Sequence, residues 1–315
     1  MNLKRTAPGR AFGCILLITA MLLVSLQAAA APWRDPSSVQ TVRKVVSVNK
    51  LSIGSKQEKR RVLPDLKKLE LDTGRKPKLA GLKQKLKKKA VSCSGNFSIY
   101  VKDLKTGESI TINNRRMYAA SLIKLYAMGA AYEKIKSGGL KEDEVSGRIR
   151  RMIASSDNSC FNSLVMKVGL DYTNLWISAH GFADTVICHG CQPADNSFGT
   201  RSASSYNRTS AADCGYFLES VYRGKCVSRA FSKKMLDHLK AQTRRGKIPA
   251  GVPSGVTVAN KTGETDDTCH DAAIVYSPGG DYILVVMVTA PGNGWNKNGD
   301  IAAISRITYD YFNRK

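Results

Sequence analysis

The chain has 315 residues, with 49 Lys plus Arg against 25 Asp plus Glu, for a formal net charge of +24. That length suits one large domain or two closely packed subdomains. Beyond the first 31 residues no stretch is apolar enough to cross a bilayer, which excludes further membrane-spanning helices.

The first segment reads as a secretory signal peptide over residues 1–30. Lys4, Arg5 and Arg10 form a positive start, Ala11 to Leu26 is uncharged and apolar, and Ala28, Ala29 and Ala30 supply small residues for cleavage. An uncleaved anchor is the alternative, since Ala11 to Pro32 spans 22 uncharged residues. Residues 31–76 then read as a basic, solvated leader. Between residues 32 and 92 there are 18 Lys plus Arg against 5 Asp plus Glu, whereas from residue 93 onward the tally is 28 against 20. A stretch this basic, spanning residues 32–90, suits anionic envelope polymers or a membrane surface and gives no sign of specific nucleic-acid recognition.

Residues 77–315 carry the pattern of a folded domain. Leu79, Leu82 and Leu86 recur at helical spacing and predict a basic amphipathic helix before Cys93. Phe97 to Asp103 and Ser109 to Ile112 alternate around Thr106-Gly107, as in a hairpin. A helix is expected from Ser121 to about Lys136, ending at Ser137-Gly138-Gly139. Further helices are expected over Asp157–Val168, Asp171–Ala179, Ser210–Tyr222 and Ser228–Thr243. Strands follow at Val256–Lys261, Asp271–Tyr276 and Tyr282–Thr289, apolar enough to be covered on both faces. Ile301, Ile304, Ile307 and Tyr311 mark a C-terminal helix. Strands from both ends with helices between them describe an α/β sandwich with a helical insertion.

Eight cysteines are present, and loss of Cys14 with the signal leaves seven. In an exported chain six of these are expected in disulfides, of unresolved pairing, with Cys160 as a buried free thiol. Cys188-His189-Gly190-Cys191 with Cys269-His270 fits no strong zinc pattern, and neither metal nor cofactor is expected.

Three short motifs carry the chemistry: Ser121-Leu122-Ile123-Lys124, Ser156-Asp157-Asn158 and Lys261-Thr262-Gly263. Ser121 and Lys124, three apart on a helix, share one face. A serine hydroxyl needs a base, and a lysine serves when desolvation and positive neighbours lower its pKa. Ser156 would relay a proton to a leaving nitrogen and Asn158 would hold a substrate carbonyl, although Ser, Asp and Asn are also the usual helix N-caps. Lys261 and Thr262, ending a strand before Gly263, would bind a carboxylate. The backbone N–H of Glu264 would join that of Ser121 in an oxyanion hole.

In this order the motifs are the signature of serine β-lactamases and penicillin-binding peptidases. The stretches Tyr118 to Met128 and Ile248 to Gly263 resemble the nucleophile helix and the third-motif strand of class A β-lactamases. The resemblance covers roughly residues 77–315. It implies a five-stranded antiparallel sheet flanked by helices, an all-helical lobe bearing Ser156 and Asn158, and a monomer with the active site between the lobes.

Two departures from that family's pattern stand out. Only 35 positions separate Ser121 from Ser156, which implies a more open cleft. The family's deacylation loop, Glu-Pro-x-Leu-Asn, has its nearest counterpart in Gln192-Pro193-Ala194-Asp195-Asn196. Gln192 stands where the resemblance puts the water-activating Glu, and Asn196 where it puts the positioning Asn. Asp195 is a second candidate base.

The leading expectation is an exported hydrolase that opens β-lactams through a Ser121 acyl-enzyme. A penicillin-binding peptidase or esterase on peptidoglycan-like acyl substrates, which deacylates β-lactams slowly, is the alternative. An envelope-polymer binding module with a vestigial cleft is the third.

Overall fold

The computed structural model describes residues 78–202 and 204–314. The expected signal peptide and leader lie outside the described residues. Helix α1 (Ala80–Ser92) precedes the hairpin of β1 (Asn96–Asp103) and β2 (Ser109–Ile112). The two-residue strand β3 (Met117–Tyr118) and a 3-10 turn (Ala120–Ile123) lead into α2 (Lys124–Lys136). Helices α3 (Ser146–Ala154), α4 (Asn158–Val168) and α5 (Leu170–Ala179) complete the insertion. A long loop returns through β4 (Arg208–Thr209) to α6 (Ala211–Tyr222) and α7 (Arg229–Lys240). Strands β5 (Thr257–Glu264), β6 (Thr268–Tyr276) and β7 (Tyr282–Thr289) precede the terminal helix α8 (Asn298–Phe312).

The five long strands form one antiparallel sheet in the order β2-β1-β7-β6-β5, so strands from both ends of the chain meet at the β1–β7 pair. Side-chain alternation sorts β7 between two cores. Ile283, Val285 and Met287 face the helical lobe, whereas Leu284, Val286 and Val288 face α1 and α8. Coverage on both faces explains why this strand reads as a continuous apolar run. Leu82, Leu86 and Ala90 bury the apolar stripe of α1 and leave its lysines outward. On the other face α6 lies so close to the sheet that a Cβ at Gly215 would stand 2.3 Å from the Tyr100 ring.

The insertion is built around α2, whose residues Lys124 to Tyr132 are buried on every side. Helix α3 had no expectation from the sequence. Its buried Ile149, Met152 and Ile153 form a short stripe among three arginines, which the polar sequence around them obscures. Strand β5 runs three residues past its expected end at Lys261, so Thr262, Gly263 and Glu264 are strand residues.

The expected disulfides are not formed. All seven cysteines of the described residues are free. They lie in separate environments: Cys214 is in the core on the helical side of the sheet and Cys269 in the core on the opposite side. The Cys93 thiol donates to Asp300 Oδ1 at 3.0 Å, and Cys160 Sγ accepts from the Arg151 guanidinium at 3.2 Å. Cys160 is buried and free, as expected. No helix of the described residues is long and apolar enough to cross a membrane.

Candidate active site

The three motifs meet where β5, the 3-10 turn and the start of α4 converge. Ser121 lies in the 3-10 turn, and the α-helix begins only at Lys124, a small correction to the expected helix start. Ala120, immediately before the nucleophile, has φ +43°, a left-handed conformation that costs a non-glycine residue of order 1–3 kcal/mol. The turn packs tightly against Gly263. A Cβ there would stand 3.1 Å from Ser121 N and 3.2 Å from Ala120 Cβ.

The β5–β6 register fixes what the strand offers the turn. Thr265 and Thr268 exchange both backbone hydrogen bonds, so by alternation Gly263 and Lys261 also bond toward β6. Thr262 and Glu264 therefore direct their backbone groups to the free edge. The N–H of Glu264 therefore points to the edge against which the nucleophile turn packs at Gly263.

Lys124 is fully buried. Its ammonium donates to Ser156 O at 2.6 Å, to Asn158 Oδ1 at 2.5 Å and to Ser156 Oγ at 3.3 Å. Burial, aided by the Arg244 charge, lowers its pKa to about 8. Lys261 is also buried and donates to Ser156 Oγ at 2.9 Å and to its neighbour Thr262 O at 2.7 Å. Burial, then the nearby Lys124 charge, holds Lys261 well below the ordinary lysine range. Two lysine nitrogens therefore point at one hydroxyl, which accepts from both and keeps its own hydrogen to donate. Among the described residues the Thr262 hydroxyl is buried without a hydrogen-bond partner.

The second motif divides its labour. Asp157 caps α4, its carboxylate accepting from Cys160 N at 2.8 Å, so capping is real but belongs to the middle residue. Ser156, at φ +63°, is thereby turned toward the lysines. Asn158 lines the cavity beside Ser121 and holds two neighbours there, with one of its two amide N–H groups left over for a substrate carbonyl. Its oxygen takes Lys124 and its nitrogen donates to Gln192 O at 2.8 Å, tying the base to the adjoining loop.

That loop is fixed by Asn162, which nothing in the sequence singled out. Its amide accepts from Cys191 N at 2.7 Å and donates to Cys191 O and Ala194 O. Gln192 and Asp195 line the small cavity beside Ser121, about 150 Å³, and Gln192 Nε2 donates to Asp195 Oδ2 at 3.1 Å. Asn196 is exposed and does not line this cavity. Cys191 lines it too, but burial raises its pKa and keeps it a thiol rather than a competing thiolate.

The side chain of Glu264 is paired with buried Lys247 and with Arg244, a cluster invisible in the sequence. Burial opposes its charge, yet these two cations hold its pKa below the usual carboxylate value. His270 proves to be a strut. Its Nδ1 accepts from Val288 N at 3.1 Å, so the proton sits on Nε2 and is donated to Tyr118 O at 2.9 Å. Burial lowers its pKa to about 4, which keeps it neutral. No group of His, Cys, Asp or Glu among the described residues could hold a metal ion.

Residues 81–147 and 144–312 match the model of the β-lactamase enzyme family. Among solved structures, PBP-A is 23% identical with TM-score 0.66, over 74% of this chain and 96% of its own. A PBP-A variant solved as an acyl-enzyme with penicillin G has the same identity and score, over 74% and 97%. A β-lactamase from Chitinophaga pinensis is 21% identical with TM-score 0.67, over 74% and 100%. At these identities the likeness establishes a common fold. No curated protein matches the chain.

If neutral Lys124 takes the Ser121 proton, the acylation rate should climb as pH rises toward about 8 and level off above it. Stopped-flow acylation across pH 6–10 measures this, and a pH-independent rate would remove Lys124 from the role.

Proposed function

The chain belongs to the β-lactamase enzyme family, and from that membership and the convergence of Lys124 and Lys261 on Ser156 we propose that it is a serine hydrolase attacking β-lactams and related acyl compounds through Ser121. Ser121 Oγ adds to the carbonyl carbon as its proton passes to the neutral Lys124 amine. The oxyanion accepts from the N–H groups of Ser121 and Glu264. Collapse breaks the C–N bond, and the nitrogen takes a proton from Ser156, replenished by the ammonium at 3.3 or 2.9 Å. Lys261 and the Thr262 hydroxyl suit a substrate carboxylate.

Deacylation is where the two enzymatic readings part. Gln192 offers no proton acceptor, and of the acids lining the cavity Glu264 is committed to Lys247 and Arg244. Only Asp195 is placed to activate water, and it already accepts from Gln192. This arrangement supports slow deacylation, the behaviour of a penicillin-binding peptidase. The acyl-enzyme captured with penicillin G in the PBP-A variant is consistent with it.

Intact-mass spectrometry after mixing with penicillin tests both steps. Ser121→Ala should abolish the covalent adduct while leaving the fold intact, and persistent labelling would dismiss the nucleophile. In the natural protein the adduct should accumulate. Gln192→Glu should speed its loss by about 10²-fold, the lower end of general-base contributions, without changing its formation.

Export and attachment are proposed on sequence alone. The signal-like segment directs the chain out of the cytoplasm, and the leader's excess of positive charge holds it on anionic envelope polymers. Removing residues 32–75 should abolish salt-sensitive binding to such polymers and leave acylation unaltered. Equal binding by the truncated protein would leave the leader without this role.

A further inference from the structure

One peptide unit just ahead of Ser121 is gripped at both ends. The N–H of Ala119 donates to Asn207 O at 2.9 Å, beside the β3–β4 pair. The carbonyl of the same unit, Tyr118 O, accepts from His270 Nε2 at 2.9 Å. A peptide unit is planar, so partners at its two ends fix its orientation. Among the described residues the His270 contact is also the only hydrogen bond between residues 117–123 and the five-stranded sheet.

His270 is well placed for that contact. It stands directly across from Gly263 on β5 and from Met287 on β7, so its ring rises from the sheet face on which the Ser121 turn packs. The ring is fully buried, and its Nδ1 accepts from Val288 N at 3.1 Å. That bond leaves the proton on Nε2, the nitrogen aimed at Tyr118 O. Nothing around the ring disturbs this state near neutral pH. Gly263 and Met287 are uncharged, and burial raises the Tyr118 phenol above its usual range. Burial, with a smaller contribution from the Lys247 charge, opposes a second proton on the imidazole.

The backbone that follows Tyr118 is strained. Ala120 holds φ +43°, and Ser121 is the next residue. Such a turn keeps its shape only where its surroundings over-determine it. Without a donor at Tyr118 O the Tyr118–Ala119 peptide could rotate, and the rotation would pass through Ala119 and Ala120 to the nucleophile.

We propose that His270 is a positioning residue for acylation: its neutral imidazole holds the Tyr118–Ala119 peptide, so that Ala120 keeps its left-handed conformation and Ser121 its place against Gly263. The inference rests on the serine acyl-transfer reading and adds to it a residue outside the three motifs. His270 does not line the cavity beside Ser121, so it acts through the turn and not on the substrate.

Two variants of nearly equal shape provide the test in the full-length protein. His270→Gln places an N–H where Nε2 stood and keeps a donor for Tyr118 O, whereas His270→Met fills the same space without one. Both remove the acceptor for Val288 N, so both should lower the melting temperature. Stopped-flow acylation by penicillin separates the binding constant from the acylation rate constant. His270→Met should lose about 10²-fold in the rate constant, the cost of a nucleophile displaced by about 1 Å, with the binding constant unchanged. His270→Gln should acylate near the natural rate despite its own loss of stability, a rescue that filling space would not produce. In the natural protein 15N NMR should show the His270 ring neutral at about pH 7 with its proton on Nε2. Its signals are identified among the four histidines by their absence from either variant. The proposal is overturned if His270→Met acylates at the natural rate, if both variants are equally slow, or if the loss falls on the binding constant. A proton on Nδ1 overturns it as well, and that measurement decides the outcome should neither variant fold. Absence of penicillin labelling in the natural protein strikes instead at the serine mechanism itself.

Discussion

Two lysines buried against one serine hydroxyl set the terms for the rest of this molecule. Removing an ammonium from water costs several kcal/mol even after relaxation, and among the described residues neither Lys124 nor Lys261 is in a salt bridge that would offset it. What repays it is a set of neutral oxygens at hydrogen-bond distance: Ser156 O and Oγ, Asn158 Oδ1 and Thr262 O. Those oxygens must be held in place. Hence Asp157 caps α4, Ser156 takes a left-handed conformation, and β5 is pressed against the nucleophile turn closely enough that a side chain at Gly263 would crowd Ser121 and Ala120. The unfavourable burial is also the source of function, because it is what brings a lysine to a pKa at which a free amine is populated.

Strand β5 is the sheet's edge, and an unpaired edge is ordinarily a hazard. Here the nucleophile turn packs against it at Gly263, and on the proposed mechanism the outward-facing backbone groups of Thr262 and Glu264 serve substrate recognition instead of templating aggregation. The side chain of Glu264 reinforces the same design. Pairing with Lys247 and Arg244 fixes the strand end whose N–H must meet the oxyanion, and it uses up a carboxylate that would otherwise repel an anionic substrate.

Local pattern made much of this legible in the sequence. Leucines at helical spacing announced α1, alternation around Thr106-Gly107 announced the β1–β2 hairpin, and unbroken apolar character announced a strand buried on both faces. The motifs named Ser121, Lys124, Ser156 and Lys261 because their spacing is itself the chemistry. What failed depended on tertiary pairing. The end of β5 at Glu264 is set by its register with β6, not by composition. The cysteines looked like disulfide partners because counting cannot show that Cys214 and Cys269 lie on opposite faces of a sheet. Asn158 was readable as a site residue, but its ties to Lys124 and to the loop at Gln192 are facts that only the fold supplies.

The loop bearing Gln192 shows how one structural residue governs a chemical outcome. Asn162 bonds Cys191 on both its backbone groups and Ala194 on its carbonyl, so the loop's path is set before Gln192 is reached. With that path fixed, the residue beside the cavity is an amide, and the nearest free carboxylate, Asp195, is bound to it. On the proposed mechanism such a site would be asymmetric between its half-reactions, equipped for acylation by two lysines and without a ready base for water, so a single structural asparagine would decide which half-reaction is slow.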